Sequence, residues 1–361
     1  MANAITYGFY DLKSVMSERV TTVGVEVVNE AIQKTLTEHN RQLDALMGLF
    51  VTETTEFKKV FRTATAARLQ PLDELARARP IQQAGKYENA WPIQKAGTAW
   101  AATYEAQVKM TVQEANDTVA TLTNADTRWM RDHILAALYY NGSGWAFSDA
   151  EHGSLTIKGL ANGDTDTYGI MTGTDLGTTD SHYLAQAAAM DNSNDPFATI
   201  YSELTEHPEN GGDTGDVIVF VPTGLKSSIE ALSNFYPMVD GNLATGSGVT
   251  TLSRSPTIQT PGMLFGYHAE KVFLYEWKSL PANYMIATTT TAEKPLAMRE
   301  HMESQLRGFS KVAERIDYPF WEAQYVRWAG FGSWNRVGAL VYRIGNATYA
   351  AAPSGYTSPM P

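Results

Sequence analysis

A short acidic segment has its carboxylates at the spacing of a calcium-binding loop. Asp164, Asp166 and Gly169 occupy the first, third and sixth positions of such a loop, and Ca²⁺ prefers carboxylate oxygens. The match then fails, because Tyr168 occupies a ligand position and Asp175 replaces the bidentate glutamate. We therefore favour an ordinary Asp/Gly turn here and predict no metal site.

Other side chains able to do acid–base chemistry are isolated. His133 falls on a predicted helix and His301 on a predicted strand, where surface or packing roles are typical, and Glu206 and Glu209 fall in a polar loop expected to be solvated. The GxSxG, P-loop, GxGxxG and HExxH motifs are absent from the sequence, and zero cysteines exclude disulfides and thiolate chemistry. The sequence does not indicate a catalytic site that combines a general acid, a general base and groups that stabilise an oxyanion. We predict no catalytic residue, no cofactor and no enzymatic activity.

Composition limits the class of protein. The 361 residues carry a net charge of −11 with 43% hydrophobic residues, which is a soluble globular composition. The chain exceeds the roughly 250 to 300 residues at which one core stops growing, so we expect more than one subdomain. The start has no secretory pattern, and the longest apolar strand run, Val217 to Val221, is far below the ~18 residues that span a bilayer.

Charge is segregated along the chain. Between residues 58 and 109 nine basic and four acidic residues give +5, so the remainder carries −16. Net acidity argues against a nucleic-acid-binding protein. The basic segment is either a solvated loop or a surface that faces a partner. Its candidate contact residues are Lys58, Lys59, Arg62, Arg68, Arg77, Arg79, Lys86 and Lys95.

Two helices are predicted before residue 142. Apolar residues spaced by three and four between residues 25 and 50 predict an amphipathic helix, and the unpatterned residues before it predict an extended arm that needs a partner to be ordered. Thr111 and Glu114 form a capping box that begins a long helix. That helix extends to about Leu138, with the sequence from Asn124 to Asp126 as a candidate point for a bend.

The basic segment itself predicts a long hairpin. We expect strands over Glu56 to Thr65 and Thr98 to Met110, joined by a polar loop rich in proline and glycine. This hairpin would extend away from the body and have no core of its own.

The second half of the chain predicts an α/β unit and then strands. Loops and short strands are expected over residues 141–181, followed by a buried strand over Asp216 to Pro222 and a helix begun by Thr223. Strands follow from Ile258, and the last two would flank a short hairpin connection at Phe331 to Asn335. The aromatic residues between 318 and 334 are expected mainly in strand core, with some at subunit contacts.

This order of parts resembles a known family. The local matches are GDVIVFVPTGLKSSIEAL, KVFLYEWKSLPANYMIATT and FWEAQYVRWAGFGSWNRVGALVYRIGN, and the resemblance extends over essentially the whole chain. The chain resembles the tailed-phage major capsid proteins of the HK97 fold. The resemblance implies an α+β fold, with the basic hairpin as the E-loop that lies over a neighbouring subunit.

The resemblance also implies a division of the chain. The expected parts are an N-terminal arm (1–24), a first P-domain helix (25–52), the E-loop (53–110), the P-domain long helix with its following loops (111–185), the A-domain (186–295), closing P-domain strands (296–350) and a tail (351–361).

The function implied is that of a shell protein. The chain would self-assemble into hexamers and pentamers of an icosahedral phage head, contact packaged DNA only non-specifically, and bind no membrane. Its implied partners are a separate scaffolding protein, a portal and a decoration protein, and its location is the virion capsid after assembly in the host cytoplasm. We expect no fused scaffold, because the helical pattern begins near Val25.

Two alternatives remain from the sequence. An encapsulin-like cellular compartment would share the fold but enclose cargo enzymes. An enzyme of unfamiliar type would require a concave pocket with convergent titratable groups.

Overall fold

The computed structural model describes most of the chain. Its described residues are 5–62, 69, 71–72, 74, 77, 80, 86–149, 151–171, 177–210, 215–238, 261–269, 271–317, 320–349 and 352–360. The helices among them are α1 Val20–Val23, α2 Val25–Met47, α3 Tyr104–Lys109, α4 Val112–Tyr139, α5 Phe197–Thr205 and α6 Thr223–Glu230. None of these helices combines the length and the apolar character needed to cross a membrane.

The strands of the described residues form two larger sheets and two hairpins. They are β1 Val51–Thr54, β2 Lys58–Arg62, β3 Lys86–Ala90, β4 Gln94–Thr103, β5 Trp145–Asp149, β6 Gly153–Ile157, β7 Tyr183–Gln186, β8 Val217–Val221, β9 Phe235–Pro237, β10 Met263–His268, β11 Val272–Glu276, β12 Tyr284–Thr289, β13 Leu296–Glu300, β14 Ser310–Asp317, β15 Phe320–Ser333 and β16 Ala339–Ile344. Helices and strands alternate irregularly along the chain, so the fold is of the α+β class.

The first sheet is organised around β15. β4, β13 and β14 each pair antiparallel with it, and β1 adds to the edge by pairing parallel with β13. One face of this sheet is covered by α2 and α4, where Ile32, Leu36, Val119 and Tyr325 are buried in a common core. The 28 residues of α4 make a rod of about 42 Å that this sheet packs against.

The second sheet has the strand order β7-β16-β12-β8-β11-β10-β9. All five residues of β8 are buried, because helices cover both faces. Val217, Val219 and Val221 face a core with α5 and α6, while Ile218 and Phe220 face a core shared with α2 and α4. The buried strand predicted from the run of apolar residues is therefore confirmed, with the two-sided burial that such a run requires.

A buried ion pair joins α4 to the first sheet. Arg327 of β15 donates from Nε and Nη2 to the two carboxylate oxygens of Asp126 in α4, at 2.6 and 2.7 Å. From α2, His39 Nε2 lies 2.8 Å from Asp126 Oδ2, and Asn40 Oδ1 accepts from Arg327 Nη2 at 2.8 Å. Burial by itself would raise the pKa of Asp126, but hydrogen bonds from His39 and Arg327 outweigh it and lower the pKa.

The two long helices are confirmed, and α4 has no break at the candidate point for a bend. α2 spans most of the predicted range, and the capping box is formed, with Thr111 Oγ1 accepting from Glu114 N and Glu114 Oε2 accepting from Thr111 N. α4 runs unbroken through Asn124 and Asp126. Asp126 has poor helix propensity, but its side chain is occupied by Arg327 and so cannot compete for the helix backbone.

The predicted extended N-terminal arm is wrong for the described residues. Tyr7–Val15 forms a 3₁₀ helix packed on α2, with Phe9 fully buried. Gly8 allows this approach, because a Cβ there would lie 1.9 Å from the carbonyl oxygen of Ala31. Asn116 Oδ1 also accepts from Thr6 N at 2.8 Å. The segment is therefore ordered by its own chain.

Strand pairing around the basic segment also differs from the prediction. β2 pairs with β3, which lies inside the segment expected to be a loop, and β4 pairs with β15 along its whole length. Residues 104–109 form α3 instead of continuing a strand, because Thr103 Oγ1 accepts from Ala106 N and caps a helix.

The closing hairpin is wrong as well. β15 and β16 belong to different sheets, because β16 pairs with β12 and β7. The connection between them contains Arg336, which is fully buried and donates to the carbonyl oxygens of Gly159 and Leu160 at 2.8 and 2.9 Å. β16 thus joins strands assigned to residues 186–295, across the expected boundary at residue 296.

The first prediction concerns the buried ion pair. Asp126→Asn should lower the free energy of unfolding by about 3 to 5 kcal/mol, because it leaves the Arg327 cation buried without a counter-charge. Asp132→Asn is the control, since it makes the same change on the same helix at a partly exposed pair with Arg131 and should cost at most about 1 kcal/mol. Denaturant unfolding measures both.

The pH dependence gives this prediction a second readout. Because the folded pKa of Asp126 is lowered, its stabilisation is fully present above the unfolded pKa of about 3.9 and is lost as pH falls through the folded value. The difference between wild type and Asp126→Asn should therefore shrink below about pH 4. Equal stability of the two variants at neutral pH would contradict the role given to this pair.

Candidate interaction surface

The basic segment is attached to the body by a short two-stranded root. β2 and β3 are antiparallel, from Lys58 opposite Ala90 at the body to Arg62 opposite Lys86 at the outer end. Trp91 follows β3 directly, is fully buried, and donates its backbone N–H to the carbonyl of Phe57 at 2.9 Å. We call residues 57–62 and 86–91 the hairpin root.

An aromatic cluster fixes the root to the end of β15. The Phe61 ring stacks on Tyr87 and meets Trp334 edge-on, both with ring centroids 5.0 Å apart. Trp91 stacks on Trp334 at 5.3 Å. Aromatic pairs in these geometries stabilise by about 0.5 to 1.5 kcal/mol each beyond the area that they bury. The expectation of a hairpin without a core is therefore wrong for its root.

Two glycines of β15 make room for this contact. A Cβ at Gly330 would lie 2.4 Å from the carbonyl oxygen of Pro92, and one at Gly332 would lie 2.9 Å from Cδ1 of Trp91. Any larger residue would force the backbones apart. Glycine inside a strand often marks such a close approach.

Polar contacts set the register of the root. Asn89 is fully buried, and its Nδ2 donates to the backbone carbonyl and hydroxyl of Ser333. Asn89 Oδ1 accepts from Lys158 N at 2.8 Å, and Tyr87 Oη donates to the Trp334 carbonyl at 2.7 Å. Because these groups of Tyr87 and Asn89 are paired, sliding the root by one residue would leave several of them unsatisfied.

The basic residues divide into an inner and an outer group. In the inner group, Lys58 pairs with Glu88 at 3.2 Å, while the ammonium groups of Lys59 and Lys95 lie 4.1 and 4.8 Å from the ring centres of Trp334 and Trp328. In the outer group, Arg62, Arg77 and Lys86 are exposed. Arg68 and Arg79 lie outside the described residues.

Exposed apolar side chains accompany the outer group. Leu69 is fully exposed and Leu72 is about half exposed, so their own chain does not cover them. Large exposed apolar residues beside charged ones are characteristic of surfaces that contact another protein. The geometry thus combines a firmly held root with an outer part that offers both positive charge and apolar area.

The acid–base candidates from the sequence have structural partners. Asp164 and Asp166 contact the guanidinium of Arg336, and Asp166 also contacts Lys158, so the expected turn is held by a cluster of ion pairs. His133 is buried between the Trp129 carbonyl and Gln94 Oε1, at 2.9 and 2.7 Å. Asp175 lies outside the described residues.

His301 and Glu206 differ from each other in environment. His301 Nδ1 accepts from Glu303 N at 3.1 Å within a turn. Glu206 is half-buried beside His207 and Asp180, and burial raises its pKa, so the expectation of a solvated charge is wrong.

An apolar cavity between α2 and α4 is lined by Leu43, Met47 and other side chains, with Arg131 as its charged group, and it does not combine an acid with a base.

The residues that hold the root were not identified from the sequence. Trp91 and Trp334 lie in segments expected to be loop and connection, and their contact depends on chain parts more than 240 residues apart. The signal that could have indicated it is the pair Gly330 and Gly332 inside an otherwise aromatic strand.

The second prediction tests the close approach at β15. Gly330→Ala should destabilise the protein and loosen the root, because its Cβ would overlap the backbone of Pro92. We expect a loss of about 1 to 3 kcal/mol, typical of overpacking. Gly224→Ala in α6 is the matched control, because nothing lies within 4 Å of a Cβ there and helix propensity favours alanine. Thermal melting and limited proteolysis at the basic segment measure the effect. A Gly330→Ala protein with unchanged stability and proteolysis would contradict the close approach of β15 to Pro92.

Comparison with known proteins gives structural relatives only. No family model and no curated protein matches the sequence. A chain from a structure of Mycobacterium phage Patience is 16% identical, with a TM-score of 0.69 over 100% of this chain and 98% of that chain.

Two capsid structures are similar at lower scores. The mature capsid of bacteriophage PhiM1 gives a TM-score of 0.52 at 10% identity, over 84% of this chain and 87% of that chain. The capsid of cyanophage P-SCSP1u gives 0.50 at 7% identity, over 84% and 88%. Likeness at such low identity establishes architecture, and it confirms the fold expected from the order of parts: the chain has the HK97-like α+β fold of phage capsid proteins.

Proposed function

We propose that this chain is the shell subunit of a tailed-phage head. It self-assembles into hexamers and pentamers of an icosahedral capsid that encloses double-stranded DNA. The observation that carries the proposal is the fold, which a phage chain matches over the whole of this chain and two phage capsid structures match over 84% of it. The role is structural and not catalytic, and the protein is located in the virion after assembly in the host cytoplasm.

The parts of the fold have distinct roles in this proposal. The first sheet with α4 is the P-domain, and the second sheet with α5 and α6 is the A-domain that gathers at capsomer centres. The basic segment is the E-loop, which lies on a neighbouring subunit. Partners other than the chain itself are a separate scaffolding protein, a portal and a decoration protein, and DNA is contacted only non-specifically.

The hairpin root supports the E-loop assignment. A hairpin that lies on a neighbouring subunit needs a firmly held base. The root has one, because Trp91 and Asn89 contact the end of β15, where two glycines allow the backbones to approach each other. Its outer part carries exposed Leu69 and Leu72, whose burial against a neighbour would contribute favourable free energy.

Charge supports the same assignment. The +5 segment and the −16 remainder are complementary when one subunit lies on the next. Of the eight candidate contact residues, Lys58, Lys59 and Lys95 already have partners within the chain. Arg62 also has a partner within the chain. We therefore assign the larger part of the intersubunit attraction to the outer positions at Arg77 and Lys86, with Arg68 and Arg79 in the same stretch of sequence.

The third prediction removes the outer part and spares the root. Replacing residues 63–85 with Asn-Gly should close the hairpin, because Arg62 and Lys86 are directly opposite and a two-residue turn can join them. A cut extending to Lys95 would instead remove β3 and buried Trp91. The variant should melt like wild type but form no closed shells.

Assembly is measured by sedimentation and negative-stain microscopy, with the chain expressed alone and with the genes that flank it. Circular dichroism on the same sample establishes that the body is folded. Normal shells from the folded deletion variant would refute the E-loop role.

The fourth prediction reverses charge in the outer group. Arg77→Glu with Lys86→Glu, both at exposed positions, should raise the subunit concentration needed for assembly while leaving the melting temperature unchanged. Each exposed pair contributes only about 0.2 to 1 kcal/mol, but a closed shell repeats the contact at every subunit. Light scattering against subunit concentration measures the threshold.

A matched double reversal provides the control. Lys34→Glu with Arg41→Glu makes the same change of charge on the exposed face of α2, outside the basic segment, and should move the threshold less. Raising salt should raise the wild-type threshold more than that of the Arg77/Lys86 variant, because the screened attraction is already lost there. Equal thresholds for all three proteins at low salt would mean that the basic segment is merely solvated.

A further inference from the structure

Two buried imidazoles and a carboxylate converge beside the edge of the second sheet. His182 Nε2 and His207 Nε2 are 3.1 Å apart, and Asp180 Oδ2 lies 2.9 Å from the first and 3.0 Å from the second. Both histidine side chains are almost completely buried, whereas Asp180 is partly open to solvent. Glu206 Oε1 lies 3.8 Å from His207 Nε2 at the same point.

The backbone determines which ring nitrogens face one another. His182 Nδ1 is 2.8 Å from the carbonyl oxygen of Ala339, and His207 Nδ1 is 2.9 Å from that of Gly169. A carbonyl can only accept, so each Nδ1 carries the hydrogen. The Nε2 atoms of the neutral rings therefore direct their lone pairs toward each other and toward the carboxylate. Three acceptors at this distance repel one another unless a metal ion lies among them or one ring carries a second proton.

We propose that Asp180, His182 and His207 bind a zinc ion, with Glu206 as a fourth donor. The donor set of two imidazoles and one or two carboxylates suits Zn²⁺ better than Ca²⁺ or Mg²⁺, which prefer oxygen alone. Hydrogen bonds from the far ring nitrogens to carbonyls are the usual way in which proteins orient metal-binding histidines. This site departs from the expectation of no metal that the sequence supports.

The distances agree with a tetrahedral ion. Zinc bonds of 2.0 to 2.2 Å place neighbouring ligand atoms about 3.3 to 3.5 Å apart. Three of the measured separations are 2.9 to 3.1 Å and the fourth is 3.8 Å. Shifts of a few tenths of an ångström would thus convert the cluster into a coordination shell.

The surrounding charge also favours a cation. Carboxylate oxygens of Asp180, Glu203 and Glu206 lie within 4.8 Å of one another.

A zinc ion here would join three separate parts of the chain. Asp180 ends the loop that follows the Arg336 cluster, His182 precedes edge strand β7, and His207 follows α5. Binding would therefore tie α5 and this loop to the sheet, and it would stabilise the folded subunit in proportion to the free metal concentration. The site can be measured on unassembled subunits, so its failure and a failure of the shell proposal are distinguishable.

The experiment uses zinc itself as the probe. Subunits stripped with chelator should take up one Zn²⁺ per chain by elemental mass spectrometry, and the melting temperature should rise by about 3 to 4 °C at a hundredfold excess over Kd. Co²⁺ in the same site should give the intense visible bands of tetrahedral coordination. His182→Gln and His207→Gln should each weaken zinc binding by more than about 100-fold, beyond the loss typical for an outer-shell residue.

His268→Gln is the matched control. His268 is another fully buried imidazole, 2.9 Å from a carboxylate oxygen of Asp195, but it lies outside the cluster. This variant should melt lower without metal and keep the full increase with zinc. The proposal is overturned if wild type neither binds nor responds to zinc, or if the His182→Gln/His207→Gln double variant responds equally. It is also overturned if stability without metal falls with rising pH and zinc does not restore it, since a proton would then be the cation.

Discussion

The bidentate pair between Asp126 and Arg327 joins the longest helix to the strand that organises the first sheet. Three other strands pair directly with that strand, and α2 reaches the same pair through His39 and Asn40. A buried charge pair is not a strong source of net stability, because desolvation offsets most of the attraction. Its effect is specificity: only one sliding position of α4 on the sheet brings the two groups together.

The same strand, β15, also contacts the root of the candidate interaction surface. Beyond Arg327, β15 continues to Gly330 and Gly332, where the hairpin root crosses at backbone contact distance. Trp91 and Trp334 then cover the crossing. The direction in which the basic segment leaves the body is thus set by contacts that continue back to α4.

The second sheet is tied together differently. Its centre is an apolar strand covered on both faces, whereas its edge near β7 is held by buried polar groups. Arg336 holds the loop that contains Asp164 and Asp166, and the Asp180, His182 and His207 cluster lies just beyond that loop. These clusters order long connections that contain little apolar sequence and could not otherwise be packed.

The sequence by itself determined the elements whose conformation depends on residues close to one another in the chain. The capping box, the amphipathic spacing of α2 and α4, and the five-residue apolar run of β8 each specify their own conformation over a few turns or one strand. The order of those elements was enough to indicate the capsid fold. The basic segment could also be identified from the sequence, because counting charged residues requires no knowledge of the fold.

Tertiary structure alone decided which elements meet. No local pattern in the sequence indicates that β4 pairs with β15, that β16 joins the other sheet, or that Phe9 packs against α2. Asp126 and Arg327 are 201 residues apart, and His182 and His207 are joined only after β7 and α5 are folded. Such contacts depend on shape and on the pairing of buried polar groups across distant segments, and hydrophobic periodicity carries no information about either.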